Sequence, residues 1–285
     1  MKLAIGLILV PACVLGGYLL HHGQLVLLYV PTEYLIIVGC LVGSMIIKNP
    51  GRVLKAIVSA VPRLFGGGGP DRKQYVGLLQ MLYELLALAR KESPLALEAH
   101  ADDPKGSSIL SKYPGFLSRS HAVAFLSDSL KLLVEGKLPA HHMDELMERD
   151  LEIIHHEEMA PSEALSSAAD SLPAIGIVAA VLGIILTMSA IDEGAAVVGE
   201  KVAGALVGTF LGVFLAYGFV APVSGALAAA AEALDRYHQC IRHVLVASIS
   251  GMDPATAVEI GRRNIAPADR PSFKELEEAI REVKG

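Results

Sequence analysis

The chain has 285 residues, a net charge of −6 and a hydrophobic fraction of 53%, with a mean hydropathy of +0.49. Such a composition is too apolar for a soluble globule and points to a multispan membrane protein. The negative balance, without any dense basic patch, excludes a nucleic-acid binder.

Lys2 to Leu20 reads as a first spanning helix, with Gly16-Gly17 for close packing and His21-His22-Gly23 to end it. Val10-Pro11-Ala12-Cys13 faintly resembles a lipoprotein cleavage site. The apolar run nevertheless continues through Leu20, so a retained span is expected. Pro31-Thr32-Glu33 opens the second span, which runs to about Gly51 with Gly39 and Gly43 four apart. Thr32 is the expected cap, and Glu33 lies in the first turn, where the helix dipole favours a carboxylate.

A polar segment follows, from about 53 to 170. Gly66-Gly67-Gly68-Gly69-Pro70 lacks the Gly-Lys-Ser/Thr ending of a phosphate-binding loop and is read as a turn. Arg72 to Glu92 carries Val76, Leu79, Leu82, Leu85, Leu86 and Ala89 at helical spacing. A short helical piece from Pro94 through Glu98 closes at Asp103-Pro104, and amphipathic helices are predicted over Ser120–Glu135 and Pro139–Glu158. The pairs His21-His22, His141-His142 and His155-His156 lack a histidine partner at i+4 and read as helix-surface residues, not metal ligands. Cys13, Cys40 and Cys240 form no disulfide framework and are expected to be small buried hydrophobes.

The dominant feature is an uncharged pair of runs, Ser171 to Ile191 and Val202 to Ala231, joined by a short polar link. Each exceeds the roughly 20 apolar residues a helix needs to cross a bilayer, so together they read as a transmembrane hairpin. Pro173 lies early in the first arm and Pro222 late in the second, near the same membrane face. Gly204, Gly208, Gly212 and Ala216 recur every four residues and put a small-residue face on the second arm. The fourth helix should continue to about Ser250. Asp253-Pro254 then caps a short helix, and Ser272-Phe-Lys-Glu275 opens the last with a capping box.

No stretch reads as a strand. The expected fold is all-α: a four-span transmembrane helical protein with a cytoplasmic helical domain inserted between spans two and three, and a helical C-terminal tail. The boundaries are 1–52, 53–170, 171–231 and 232–285. Lys48, Arg52, Lys55 and Arg63 follow span two, and Arg236 and Arg242 follow span four, whereas the opposite links carry only Lys201. The positive-inside rule places both termini and the middle segment in the cytoplasm.

No nucleophile elbow, HExxH motif or paired carboxylates appear, so an enzyme is not expected. Spans three and four also lack ionisable residues, which transporters keep along an ion path. Their polar side chains are Ser171, Thr187, Ser189, Thr209, Tyr217 and Ser224. Either the protein does not conduct, or a partner helix supplies the titrating group.

The runs Ser171-Leu-Pro-Ala-Ile-Gly-Ile-Val-Ala-Ala-Val181, Ala205 to Pro222 and Arg270-Pro-Ser-Phe-Lys-Glu-Leu-Glu-Glu278 closely resemble the flagellar motor stator subunits of the MotA family. Gly16-Gly17-Tyr18, Tyr113-Pro114 and the region of Arg90 extend the resemblance over nearly the whole chain. The wider family includes the ExbB and TolQ energisers. The resemblance implies a bacterial inner-membrane protein driven by the proton gradient, with no cofactor. It also implies five copies around two helices of a single-span MotB-like partner, each supplying a proton-binding aspartate. Pro173 and Pro222 match prolines that couple protonation to shape change. Arg90 and Glu98 match cytoplasmic charges that engage the rotor protein FliG. Sodium-type relatives carry a threonine where Ala180 stands, alongside the threonine matched by Thr209, so a proton is the expected coupling ion. The alternative is a structural membrane assembly or an envelope energiser of the ExbB/TolQ kind, without rotor contact. Those proteins have three spans, whereas four are read here.

Overall fold

A computed structural model describes residues 2–189 and 191–284, the side chain of Lys284 apart. Among these residues every regular element is helical. In chain order the helices are α1 (Lys2–Leu20), α2 (Pro31–Lys48), α3 (Gly51–Leu64), α4 (Arg72–Lys91), α5 (Glu98–Asp102), α6 (Pro114–Leu117), α7 (Ser120–Glu135), α8 (Ala140–Met188), α9 (Ala195–Leu215), α10 (Ala221–Ile249), α11 (Pro254–Arg263) and α12 (Phe273–Lys284). Four stretches are long and apolar enough to cross a membrane: Lys2–Leu20, Leu25–Lys48, Ala140–Met188 and Ala195–Ile249.

The chain divides into two compact units, one of residues 1–68 and 159–230, the other of 69–158 and 231–285. The first is held by a small core of Ile37, Leu172, Ala179, Val207, Leu211 and Ala216. Its outer helices are poorly covered: α1 buries no residue at all, and Ile8 is 69% exposed. Apolar side chains on such a surface suit lipid or another helix and not water.

The second unit has a conventional core. The apolar stripe of α4 (Leu78, Leu79, Leu82, Leu85) packs with Phe125 and Leu126 of α7, Met143 and Met147 of α8, and Tyr237, Ile241 and Val244 of α10. Local signals set its element ends. Asp71 caps α4 in a reciprocal box with Gln74, since its side chain accepts from the Gln74 backbone N–H and the Gln74 side chain accepts from the Asp71 N–H. Gly136 ends α7 in the left-handed conformation that a residue without Cβ adopts cheaply. Asp253 caps α11, and the Ser272–Glu275 box opens α12.

Several expectations need correction. The helices expected over 139–158 and 171–191 are one 49-residue helix, α8, which passes Pro161 and Pro173 without a break. A polar stretch and an apolar stretch look like different elements in sequence, yet the backbone ladder is indifferent to that change. Thr32 is not a cap; Val30 is the N-cap, Pro31 takes the first helical position and no side chain caps α2. The second span ends at Lys48, and the basic, amphipathic α3 starts separately at Gly51. Of the cysteines only Cys240 is buried, where burial pushes its thiol up to about 12; Cys13 and Cys40 are exposed on α1 and α2.

Candidate functional site: the hairpin of the third and fourth spans

Small residues decide how closely α8 and α9 approach. A methyl group on Gly176 would lie 2.7 Å from the Gly208 carbonyl oxygen and 3.0 Å from Gly212 Cα. One on Gly212 would lie 2.7 Å from the Leu172 carbonyl oxygen and 2.8 Å from Gly176 Cα. Here one helix backbone rests on the other, the arrangement small residues permit inside a membrane. Of the expected small-residue face, Gly208 and Gly212 are buried at this contact and Ala216 is buried in the same small core, whereas Gly204 is half-buried with Val30 nearest. Gly176, on the facing helix, completes the contact and was not singled out from sequence.

Near Gly208 the contact changes character. A methyl there would meet Ala180 N at 3.1 Å, Ala179 Cβ at 3.2 Å and Glu33 Oε2 at 2.6 Å. One on Gly183 would meet Ala205 Cβ at 2.8 Å and Glu33 Oε1 at 3.4 Å. The first turn of α2 therefore inserts a carboxyl group between the arms of the hairpin, where two glycines leave it room. Glu33 is only 5% exposed, and its Oε2 has no hydrogen-bond partner among the described residues. Leaving a charged oxygen buried and unpaired costs about 1–3 kcal/mol or more. Sequence reasoning missed this residue because the helix dipole already explained a carboxylate in a first turn. The available signal was that Glu33 is the one charged residue of α2 before Lys48.

The other expected channel residues lie close to this contact in sequence. Ala180 is buried beside Gly208. Thr209 is half-buried, and its hydroxyl is not bonded back to its own helix. Thr187 is so bonded, donating to the Gly183 carbonyl at 2.8 Å. Pro173 is half-buried and Pro222 exposed.

Both prolines withdraw an N–H from the helical ladder, at the carbonyls of Ala169 and Gly218. Their consequences differ. At Pro173 the helix continues. Before Pro222 the chain loosens into a π turn over Ala216–Val220, closed by the Ala221 N–H donating to the Ala216 carbonyl five residues back. Such turns insert one extra residue into a helix and recur at functional sites.

The second unit holds the remaining candidates. Arg90, at the end of α4, is exposed and borders a cavity of about 610 Å³ with Leu86, Pro94, Met143, Met252 and Pro254. Its charge helps hold the Asp253 carboxyl below the usual carboxylate value, mainly an effect of the hydrogen bond Asp253 accepts from the Thr256 hydroxyl at 2.6 Å. Glu98, on α5, is exposed and does not line this cavity. Neither Arg90 nor Glu98 has an ion-pair partner among the described residues, so both charges face outward. Tyr113, part of the Tyr-Pro pair noted in the sequence, donates to the buried Glu84 carboxylate at 2.5 Å, which Lys112 also neutralises at 2.5 Å. Burial and that bond to Glu84 push the Tyr113 hydroxyl far above its ordinary value, so it remains a donor. Among the described residues no group of histidine, cysteine and carboxylate side chains is arranged to hold a metal ion.

A backbone-close hairpin with a buried carboxyl group and a proline-linked π turn defines a membrane-embedded helical assembly unit. Family comparison specifies it. Residues 4–93 match the model described as "Motility protein A N-terminal", and residues 118–239 match the MotA/TolQ/ExbB proton channel family. The chain is 38% identical to Motility protein A of Escherichia coli over 284 residues, covering 100% of this chain and 96% of that one. It is 36% identical to Chemotaxis protein LafT of Vibrio parahaemolyticus, with both chains fully covered. Its fold matches the structure of C. jejuni MotAB with a TM-score of 0.77 at 21% identity, covering 95% of this chain and 98% of that one. The flagellar MotAB stator complex of Bacillus subtilis matches at 0.73 and 24% identity, with 96% and 99% covered. The chain belongs to the MotA/TolQ/ExbB proton channel family. Within it, this chain is a homologue of the motility protein A subunits of flagellar stators.

Proposed function

We infer that this chain is the channel-forming stator subunit of a bacterial flagellar motor, converting proton flow into torque, and not an enzyme. Homology to Motility protein A across the whole chain carries the reading. The structure adds a physical reason for a partner. The described residues of the hairpin after Ser171 carry no ionisable side chain short of Asp192, while the faces bearing Ile177, Val178, Leu182, Ile185 and Leu206 are exposed and apolar. Those faces accept neighbouring helices. Five copies of this chain surround two helices of a MotB-like subunit that brings the proton-binding aspartate. The protein is a multi-pass inner-membrane protein with both termini and the second unit in the cytoplasm, in contact with lipid along α1. Pro173 and the π turn before Pro222 lie where partner protonation is transmitted. Arg90 and Glu98 present unpaired charges to the rotor protein FliG. An envelope energiser would have no use for such charges.

The test is complementation in a strain lacking its stator genes. This chain together with its cognate single-span partner restores swimming, and neither does so alone. Restoration of outer-membrane energisation without swimming would support the ExbB/TolQ reading instead.

A further inference from the structure

We propose that Glu33 is a proton-binding group of this chain's own, a relay site between the aqueous side opposite the cytoplasm and the partner's carboxylate. The inference rests on the channel reading and on the orientation given with it. Three observations carry it. The carboxyl group is 95% buried in a membrane-spanning unit, and Oε2 has no hydrogen-bond partner among the described residues. Space for it is provided from both arms: Gly183 and Gly208 each stand where a methyl group would press on one of its oxygens. No cation neutralises it, because Lys201, the one basic residue of the link between spans three and four, pairs with Glu193 at 3.6 Å. Gly183 and Gly208 stand against its oxygens, with Ala205 next to the first and Ala179 and Ala180 next to the second, none of them charged.

A buried ionised carboxylate with no partner is unfavourable in an apolar surround, and intramembrane ionisable residues mark ion paths. A proton satisfies the group without a ligand cage. Hydronium on the outer side gives it up, its O–H bond breaking to leave water as the carboxyl O–H bond forms; the carboxyl O–H then breaks as the next acceptor takes the proton, leaving the carboxylate ready for another. Ala180 lies across Gly208 from this group and offers no hydroxyl, so a desolvated metal cation would find too few oxygens here. The position is at the start of α2, next to Val30 and Pro31, which puts the relay near the outer mouth of the path and not at its cytoplasmic end.

The experiment uses the assembled complex of this chain with its partner in liposomes. Glu33→Gln fills the same space without titrating, and its proton flux should fall by about tenfold or more, with assembly unchanged. Glu33→Asp should restore most of the flux with a shifted pH profile. The second readout is difference infrared spectroscopy of the complex whose partner carboxylate has been neutralised to the amide. A protonated-carboxyl band that titrates should persist there, and Glu33→Gln should remove it. Wild-type flux and an unchanged pH profile in Glu33→Gln would overturn the proposal, as would the absence of such a band. A wild-type complex that carries no protons at all would overturn the channel reading instead.

Discussion

Replacing Gly212 with alanine tests the idea that backbone contact organises the hairpin. The added methyl would lie 2.7 Å from the Leu172 carbonyl oxygen and 2.8 Å from Gly176 Cα. Both neighbours are backbone atoms, so no side chain can rotate away. Ordinary contact requires α8 and α9 to separate by several tenths of an ångström along this seam. Overpacking of that kind costs about 1–3 kcal/mol. The control is Gly225→Ala in α10, where the added methyl meets nothing within 4 Å. There the substitution should be neutral or mildly stabilising, since alanine is the better helix former by about 0.8–1.0 kcal/mol. Thermal unfolding of the purified complex should show Gly212→Ala lower by about 2–10 °C, with Gly225→Ala at or above wild type. Proton flux should fall in Gly212→Ala, because the same displacement moves Gly208 away from Glu33 and Ala180. Equal melting temperatures for the two variants would refute the claim that Gly212 sets the approach of the helices.

Three other outcomes follow. Pro222→Ala returns the missing N–H, so the π turn over Ala216–Val220 should relax toward α-helix; assembly should survive while tethered-cell rotation stops, and normal rotation would mark the proline as a tolerated kink. Swimming should continue in sodium-free medium and stop with a protonophore, whereas loss without sodium and persistence with the protonophore would reject the proton. The hydrogen bond that His121 donates to the Glu158 carboxylate raises His121 above its ordinary value of 6.5, so the pair adds stability that is present below that pH and fades as the pH rises through the folded-state value. His121→Gln should therefore destabilise the protein at about pH 5.5 and hardly at all at about pH 9, and an equal loss at both pH values would deny the charged pair.

The spanning helices were legible in the sequence because their signal is the absence of charge over a bilayer's thickness, and the caps at Asp253 and Ser272 because a side chain three residues from its partner announces them. What escaped the sequence depends on tertiary contact. Glu33 sits at a position with an adequate local explanation, and only the glycines of two distant helices show that it is buried. Gly176 looks like any small residue in an apolar run until Gly212 is placed against it. The π turn before Pro222 could not be read, since a proline fixes where a hydrogen bond is lost but not how the backbone absorbs the loss. Continuity of α8 through Pro161 and Pro173 was hidden by the change from polar to apolar composition at about residue 170. Conversely, Arg90 and Glu98 are exposed, the geometry there names no partner, and the rotor contact proposed for them comes from resemblance.

Proton flux into liposomes, with and without the single-span partner, bears most directly on the account. This chain alone should give no measurable flux, because the runs Ser171–Ile191 and Val202–Ala231 hold no acidic, basic or histidine side chain and Glu33 has no acceptor to pass its proton to. Addition of the partner should open a flux driven by the pH gradient. Robust flux through this chain by itself would contradict the account.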